Sequence, residues 1–280
     1  MHKSVVALLV AAAIADGAIG SADDPIGDYL PAWRNDPRGA ISLRDVLTMT
    51  SGLEPFSREG GFNSPGWSYV QGPGDARAET LGRPLVRKPG TVFHYSGFNS
   101  QLLLMVIEAA TGRSYIDYLS ERLWQPLGNS DAWLWMYDEP EPMPRAFTAL
   151  MASAEDWLRI GLLVKDFGRY AGQQLIPAEL IQEMTAPSAA YANYGWQLWL
   201  GTEHEQMRYY NRSGEGVGIK SEEPFVANDM IYFDGIGGQR VYISRSLDLV
   251  IVRQGDRRLD WDDSLLPNLV IRAAEGAEGS

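Results

Sequence analysis

The chain has 280 residues, long enough for one large domain or two lobes, and with 45% hydrophobic and 21% charged residues it has the composition of a soluble globular protein. Its 24 Lys and Arg stand against 36 Asp and Glu, a formal charge of −12 that disfavours nucleic acid and anionic membrane surfaces as partners. With no Cys and only His2, His94 and His204, there is no disulfide or thiolate nucleophile and hardly a metal ligand, so neither a metal nor another cofactor is expected.

The first segment, Met1-His2-Lys3-Ser4, runs straight into Val5-Val6-Ala7-Leu8-Leu9-Val10. A basic residue and an apolar stretch to Ala15 have the make-up of a secretory signal, and equally of a buried helix stopped at Asp16-Gly17. The turn-rich continuation from Ser21-Ala22-Asp23-Asp24-Pro25 to Trp33 reads as a structured connector and favours the helix. No other apolar run approaches the ~20 residues that cross a bilayer.

Ser42 caps a short amphipathic helix within Ile41 to Met49, ending near Gly52. Residues 54 to 90, rich in Gly, Pro and aromatic residues, read as a long loop covering a site. Helices are expected from Asn99 to Thr111, closed by Gly112, from Tyr115 to Trp124, and from Ala154 to Val164 behind Ser153. After residue 190 the pattern turns to strands: Tyr194 to Leu200, Gln206 to Asn211, Asp229 to Asp234, Arg240 to Ser244 and Leu247 to Val252. Short links between them imply an antiparallel sheet, with a closing helix from Ser264 to Ala273 on one face.

A hydrolase with this composition must draw on Ser, Thr, Lys, Tyr or carboxylates. A Ser activated by a Lys one helical turn later places hydroxyl and amine on one helix face, and a neighbouring Tyr helps move the proton. Lys3 suits that pairing when a Ser precedes Met1, and Tyr95 lies in a loop at the start of a helix.

The order and spacing of several motifs carry a resemblance over the whole chain. They are Met1-His2-Lys3-Ser4, Ala15-Asp16-Gly17, Leu47-Thr48-Met49-Thr50-Ser51-Gly52-Leu53, Phe93-His94-Tyr95-Ser96-Gly97, Thr111-Gly112-Arg113-Ser114, Leu123-Trp124-Gln125-Pro126-Leu127-Gly128, Tyr194-Gly195-Trp196-Gln197-Leu198-Trp199 and Gly237-Gly238-Gln239. Together they resemble the serine β-lactamase, penicillin-binding protein and esterase superfamily, in its class C-like part, nearest the 6-aminohexanoate-dimer hydrolase branch. The resemblance implies that Lys3 is the lysine of Ser-x-x-Lys and general base, that Tyr95 relays the proton to the leaving group, and that the main-chain N–H of Gln239 forms half of an oxyanion hole. Asn99, Gly237, Gly238 and Trp196 are assigned to the substrate side. Trp196 and Trp199, three apart in an expected strand, would face opposite ways, one toward a cleft and one into packing.

Three departures sharpen the reading. The Tyr-x-Asn element reads Tyr95-Ser96-Gly97, with Asn99 as a substitute amide. Ile236 stands where a basic residue would anchor a substrate carboxylate, which points away from true β-lactamase activity. No Ser-x-x-Lys occurs in the chain, and Ser4 lies about 100° round the helix from Lys3.

The implied fold is α/β of the α+β type: a single domain over 1–280, with an antiparallel sheet flanked by helices (1–26 with 166–280) and a helical, loop-rich lobe (27–165). The expectation is a chain cut at Ser-x-x-Lys, without the N-terminal strands of the fold, poorly soluble through an exposed sheet edge, and inactive. Its parent would be a serine hydrolase forming an acyl-enzyme on a small ester, amide or peptide-like substrate. The rival is a non-catalytic ligand-binding or sensing module on the same scaffold. Oligomeric state and compartment are left open.

Overall fold

The computed structural model describes residues 1–55, 75–137, 142–210, 218–258 and 260–278. The apolar N-terminal segment is α1 (His2–Ala15), buried continuously from His2 to Ala13. A helix apolar on all sides has no solvent face, and this one occupies the centre of the main core. The capping box of Ser42 and Asp45 opens α2 (Leu43–Leu47). The long loop expected from 54 to 90 contains a helix, α3 (Ala76–Leu81), started by Asp75 as N-cap; residues 56–74 of that stretch lie outside the described residues.

The main partner of α1 is α4 (Gly97–Thr111), capped by Ser96 and closed by Gly112 at φ +66°. Next come α5 (Tyr115–Leu119), which runs on into a π-turn at Ser120–Trp124, α6 (Ala154–Lys165), and α7 (Ala178–Met184), a short helix the sequence reading did not pick out. The C-terminal α8 (Leu265–Glu278) begins close to the expected start.

In chain order the strands are β1 (Trp133–Leu134), β2 (Leu150–Met151), β3 (Arg169–Tyr170), β4 (Gln173–Gln174), β5 (Trp199–Leu200), β6 (Met207–Tyr209), β7 (Gly218–Lys220), β8 (Ile231–Gly235), β9 (Gln239–Ser244) and β10 (Leu249–Arg253). Four of them form the antiparallel sheet, in the order β10-β9-β8-β5. Strand alternation splits its side chains between two cores: Phe233, Val241 and Ile243 join α1 and α6, while Tyr232 and Tyr242 join an aromatic cluster with Trp199. Helix α6 lies close on the first face because Gly161 has no side chain there. A Cβ would sit 2.7 Å from Val250 Cγ1 and 2.9 Å from Val241 Cγ1.

This is the mixed helical and antiparallel α/β architecture expected, with two corrections in its strands. The strand anticipated from Tyr194 to Leu200 is reduced to its last two residues, because Gly195 N–H donates to Leu198 O at 3.0 Å and Gln197 takes φ +54°, closing a turn. The strand at Gln206 to Asn211 is described as β6, paired with β7 in a separate ribbon; Asn211 lies outside the described residues.

Candidate active site

The first turn of α1 puts Lys3 in a dry position, 7% exposed. Its Nζ lies 5.0 Å from the ring centre of Tyr95 and 5.2 Å from that of Phe147, and donates to Ser100 Oγ on α4 at 3.3 Å. Burial pushes the amine down to about 7, against the pull of Asp234. An amine near half-neutrality at neutral pH meets the requirement for a general base.

Tyr95 enters from the loop before α4 and is held by its own main chain, N–H to Tyr210 O at 3.1 Å. Its ring stacks on Trp199 at 5.7 Å and meets Tyr210 at 5.0 Å. Burial, aided by Tyr194, Asp234 and Tyr210, holds the phenol well above its ordinary pKa, while Arg208 pulls the other way. The phenol therefore keeps its proton at neutral pH.

The expected Gly237–Gly238–Gln239 segment forms the β8–β9 hairpin, closed by the pair Gly235 and Gln239. Its turn needs glycine twice: Gly237 has φ +74° and Gly238 has φ +81°, and a Cβ on the second would lie 2.8 Å from the Trp261 ring. The Gln239 carboxamide donates to Gly255 O at 2.7 Å and accepts from Gly255 N–H at 3.0 Å, bracing the neighbouring loop, so its main chain is the part that belongs to the hairpin. At the same strand end, Met1 N donates to Asp234 O at 2.8 Å, joining the start of α1 to the sheet. Ile236 at the turn is 72% exposed.

Beneath these groups lies a buried box of two arginines and two aspartates. Asp263 accepts from Arg208 Nε at 2.9 Å and Arg240 Nε at 2.9 Å; Asp234 lies 3.0 Å from Arg208 Nη2 and 2.7 Å from Arg240 Nη1. Burial opposes ionisation of Asp234, but the two guanidinium groups outweigh it and hold the carboxyl below its ordinary range. Arg208 also sits 3.9 Å from the Trp199 ring centre, so the box supports the indole on which Tyr95 stacks.

Lys3 and Tyr95 thus lie together at the first turn of α1, and Met1 of the same turn is bonded to Asp234 on β8, the strand that runs into the Gly237–Gln239 turn. Two other expected residues are placed differently. Asn99, 2% exposed, accepts from Ser51 Oγ at 2.7 Å and donates to Met49 Sδ at 3.3 Å, an anchor for the loop under Tyr95. Trp196 lies in the main core with the Arg44 guanidinium 5.6 Å from its ring centre, and Trp199 is the indole beside Tyr95.

The sequence reading missed Ser100, Gln197, Phe147 and His2. His2 Nδ1 faces two carbonyl oxygens, of Arg145 at 3.1 Å and Thr148 at 3.0 Å, and so carries the proton; Nε2 accepts from Tyr115 at 2.8 Å. This clamp fixes the segment that brings Phe147 over Lys3. The available signal was polar residues inside apolar helices, His2 in α1 and Ser100-Gln101 in α4. Among the described residues no three His, Asp or Glu side chains gather as metal ligands, and no helix is long and apolar enough to cross a membrane.

An antiparallel sheet beside a core helix, with a buried lysine on that helix's first turn against a tyrosine ring, is the arrangement of the β-lactamase and penicillin-binding class. The model of the Beta-lactamase family matches residues 1–257, and the chain belongs to that family. A D-aminopeptidase of Brucella anthropi is 32% identical over 124 residues, 42% of this chain and 21% of the relative. The alignments with curated relatives span only about a fifth to just over a quarter of those proteins' lengths. Among solved structures, "Putative 6-aminohexanoate-dimer hydrolase from Bacillus anthracis" superposes with TM-score 0.76 at 20% identity, covering 99% of this chain and 72% of that one. An octameric penicillin-binding protein homologue from Pyrococcus abyssi gives TM-score 0.62 at 17% identity, covering 98% and 64%. At such identities these structures speak for the fold.

Proposed function

We propose that this fold serves a serine hydrolase that forms an acyl-enzyme on a small ester, amide or peptide-like substrate. The observation that carries the proposal is the Lys3 amine, buried beside Tyr95 and lowered to about 7. In the reaction, Lys3 takes the proton from a serine hydroxyl as the oxygen bonds to the substrate carbonyl carbon. The oxyanion is held by the Gln239 N–H and the serine's own N–H. Tyr95 passes the proton to the leaving group as its bond to carbon breaks, and water then releases the acyl group by the reverse proton path.

Gly237 and Gly238 shape the hairpin that carries the Gln239 N–H, with Arg257 and Trp261 packed against them, and Trp196 and Asn99 act from behind as supports. Ile236 offers no charge to a substrate carboxylate, which favours neutral esters and amides over β-lactams. The names of the relatives, an aminopeptidase and a dimer hydrolase, agree with amide-type substrates. The lobes assigned are 1–26 with 166–280, and 27–165, with the reaction at their junction.

The 280 residues contain no Ser-x-x-Lys, so the chain as it stands is proposed to be inactive. The test is labelling by a fluorophosphonate probe together with burst release from a p-nitrophenyl ester. Expected is no labelling of the 280-residue chain, and labelling of a form with serine placed before Met1, lost again with Lys3→Ala. A burst from the unextended chain would refute its inactivity. A serine-bearing form with native circular dichroism that takes up no probe would overturn the hydrolase reading in favour of a ligand-binding role.

A further inference from the structure

Lys3 has an unusual set of partners. Among the described residues its Nζ makes one hydrogen bond, to Ser100 Oγ, and otherwise faces the rings of Tyr95 and Phe147. The position where the family's motif offers an amide is Gly97, and it has no room for one. A Cβ there would lie 2.9 Å from the Phe147 ring, which covers the lysine. Asn99 does not take over the task, its amide being bonded to Ser51 and Met49.

The polarity of the Ser100 bond is fixed from behind. Gln197 Nε2 donates to Val46 O at 3.1 Å and Leu47 O at 3.2 Å, which turns Oε1 toward Ser100. Ser100 Oγ donates its single proton to that oxygen at 2.7 Å, so toward Lys3 it can only accept. Gln197 is itself held in the left-handed region, φ +54°, with N–H to Leu47 O at 3.0 Å and its carbonyl accepting from Ser4 Oγ at 2.8 Å. Such strain persists where the surroundings over-determine it.

We infer that Ser100, with its proton committed to Gln197, is a positioning residue that obliges Lys3 to present an N–H to α4 and so turns the amine's lone pair away from α4, toward the reaction side. A hydroxyl free to rotate would instead donate to the lone pair of the neutral amine and quench the base. The inference rests on the reading of Lys3 as base. It adds that the Ser100–Gln197 pair, and not the amide two residues after Tyr95, sets the direction of the base in this chain.

The test reads Lys3 directly. The chain has four lysines, so selective 13Cε-lysine labelling gives a simple spectrum in which Lys3 is identified by its loss in Lys3→Arg. Other charges facing the amine are Asp234 on β8, the Met1 amino group, and Arg240 and Arg208 beyond Asp234; none changes in the variants. Because Ser100 accepts from the ammonium, Ser100→Ala lowers the Lys3 midpoint by about one pH unit and Ser100→Thr restores it. Should Ser100→Ala fail to fold, Gln197→Met, which keeps the hydroxyl and frees its proton, carries the same expected fall. A midpoint unchanged or raised in the folded variants, or not restored by threonine, overturns the inference. No turnover is involved, so the two readings fail separately: a serine-bearing form inert to the probe, with Lys3 still following Ser100, overturns the hydrolase reading alone. A reactive form with Lys3 indifferent to Ser100 overturns this inference alone.

Discussion

Replacing Asp263 by Asn is the sharpest test of how the site is supported. Asp263 accepts from Arg208 Nε and Nη2 at 2.9 and 2.8 Å, and its other oxygen lies 2.7 Å from Arg240 Nη2. The side chains of Asp263, Arg208 and Arg240 are 1–4% exposed. Asparagine keeps the shape but leaves two buried guanidinium groups facing the single carboxylate of Asp234, an uncompensated charge that costs about 3–5 kcal/mol. Set against a typical stability of about 5–15 kcal/mol, that is a large fraction. With a urea m-value of roughly 3 kcal/mol per molar, the unfolding midpoint falls by about 1–1.7 M. Adding Arg208→Met rebalances the charge, and the double variant is expected to cost less than the sum of the single ones by about 1–3 kcal/mol. Near-UV circular dichroism should change in parallel, because Arg208 rests on Trp199. A midpoint within about 0.3 M of the parent, or strict additivity in the double variant, would refute the reasoning.

Two further outcomes follow from the packing and from His2. Gly161→Val drives methyl groups into Val241 and Val250, where even a Cβ stands 2.7 Å from a carbon atom; the cost is about 2–3 kcal/mol, read as a lower Tm, and an unchanged Tm would show that α6 does not bear on the sheet as described. Burial pushes His2 down to about 4 from its ordinary 6.5, so the native state resists the proton that the unfolded chain accepts. Stability from this group is complete above pH 6.5 and is lost as pH falls toward 4, by roughly 3 kcal/mol in all. Urea midpoints measured across that window should decline less steeply in His2→Gln, and an equal decline would remove His2 as the cause.

Much of this architecture was legible because its signals are local. The extent of α1 follows from unbroken apolar content, α6 from Ser153 with Asp156 three residues on, and α4 from Gly112 at its end. Lys3, Tyr95 and Gln239 were assigned by the order of short motifs, each weak by itself. What escaped depends on distance in sequence. Nothing near Ser100 announces that its proton goes to a glutamine 97 positions away. The box of Arg208, Arg240, Asp234 and Asp263 is assembled from three strands and the approach to α8, while each member alone reads as a surface charge. The two tryptophans were sorted by strand alternation, but the left-handed Gln197 breaks the strand into a turn, which carries Trp199 to Tyr95 and leaves Trp196 in the core. Helix α7, seven residues behind Pro177 without a side-chain cap, has too little pattern to stand out.

Gln197 also imposes an order of events. Its bonds reach back 193 residues to Ser4, 151 to Val46 and 97 to Ser100, and among the described residues no nearer group supplies them. While the polypeptide is being made, Lys3 and Ser100 therefore exist for most of synthesis without the residue that orients them, as an ordinary amine and an ordinary hydroxyl. Their mutual orientation is set only when the last third of the chain has closed over the first, so the nascent protein carries both side chains long before it holds them in register.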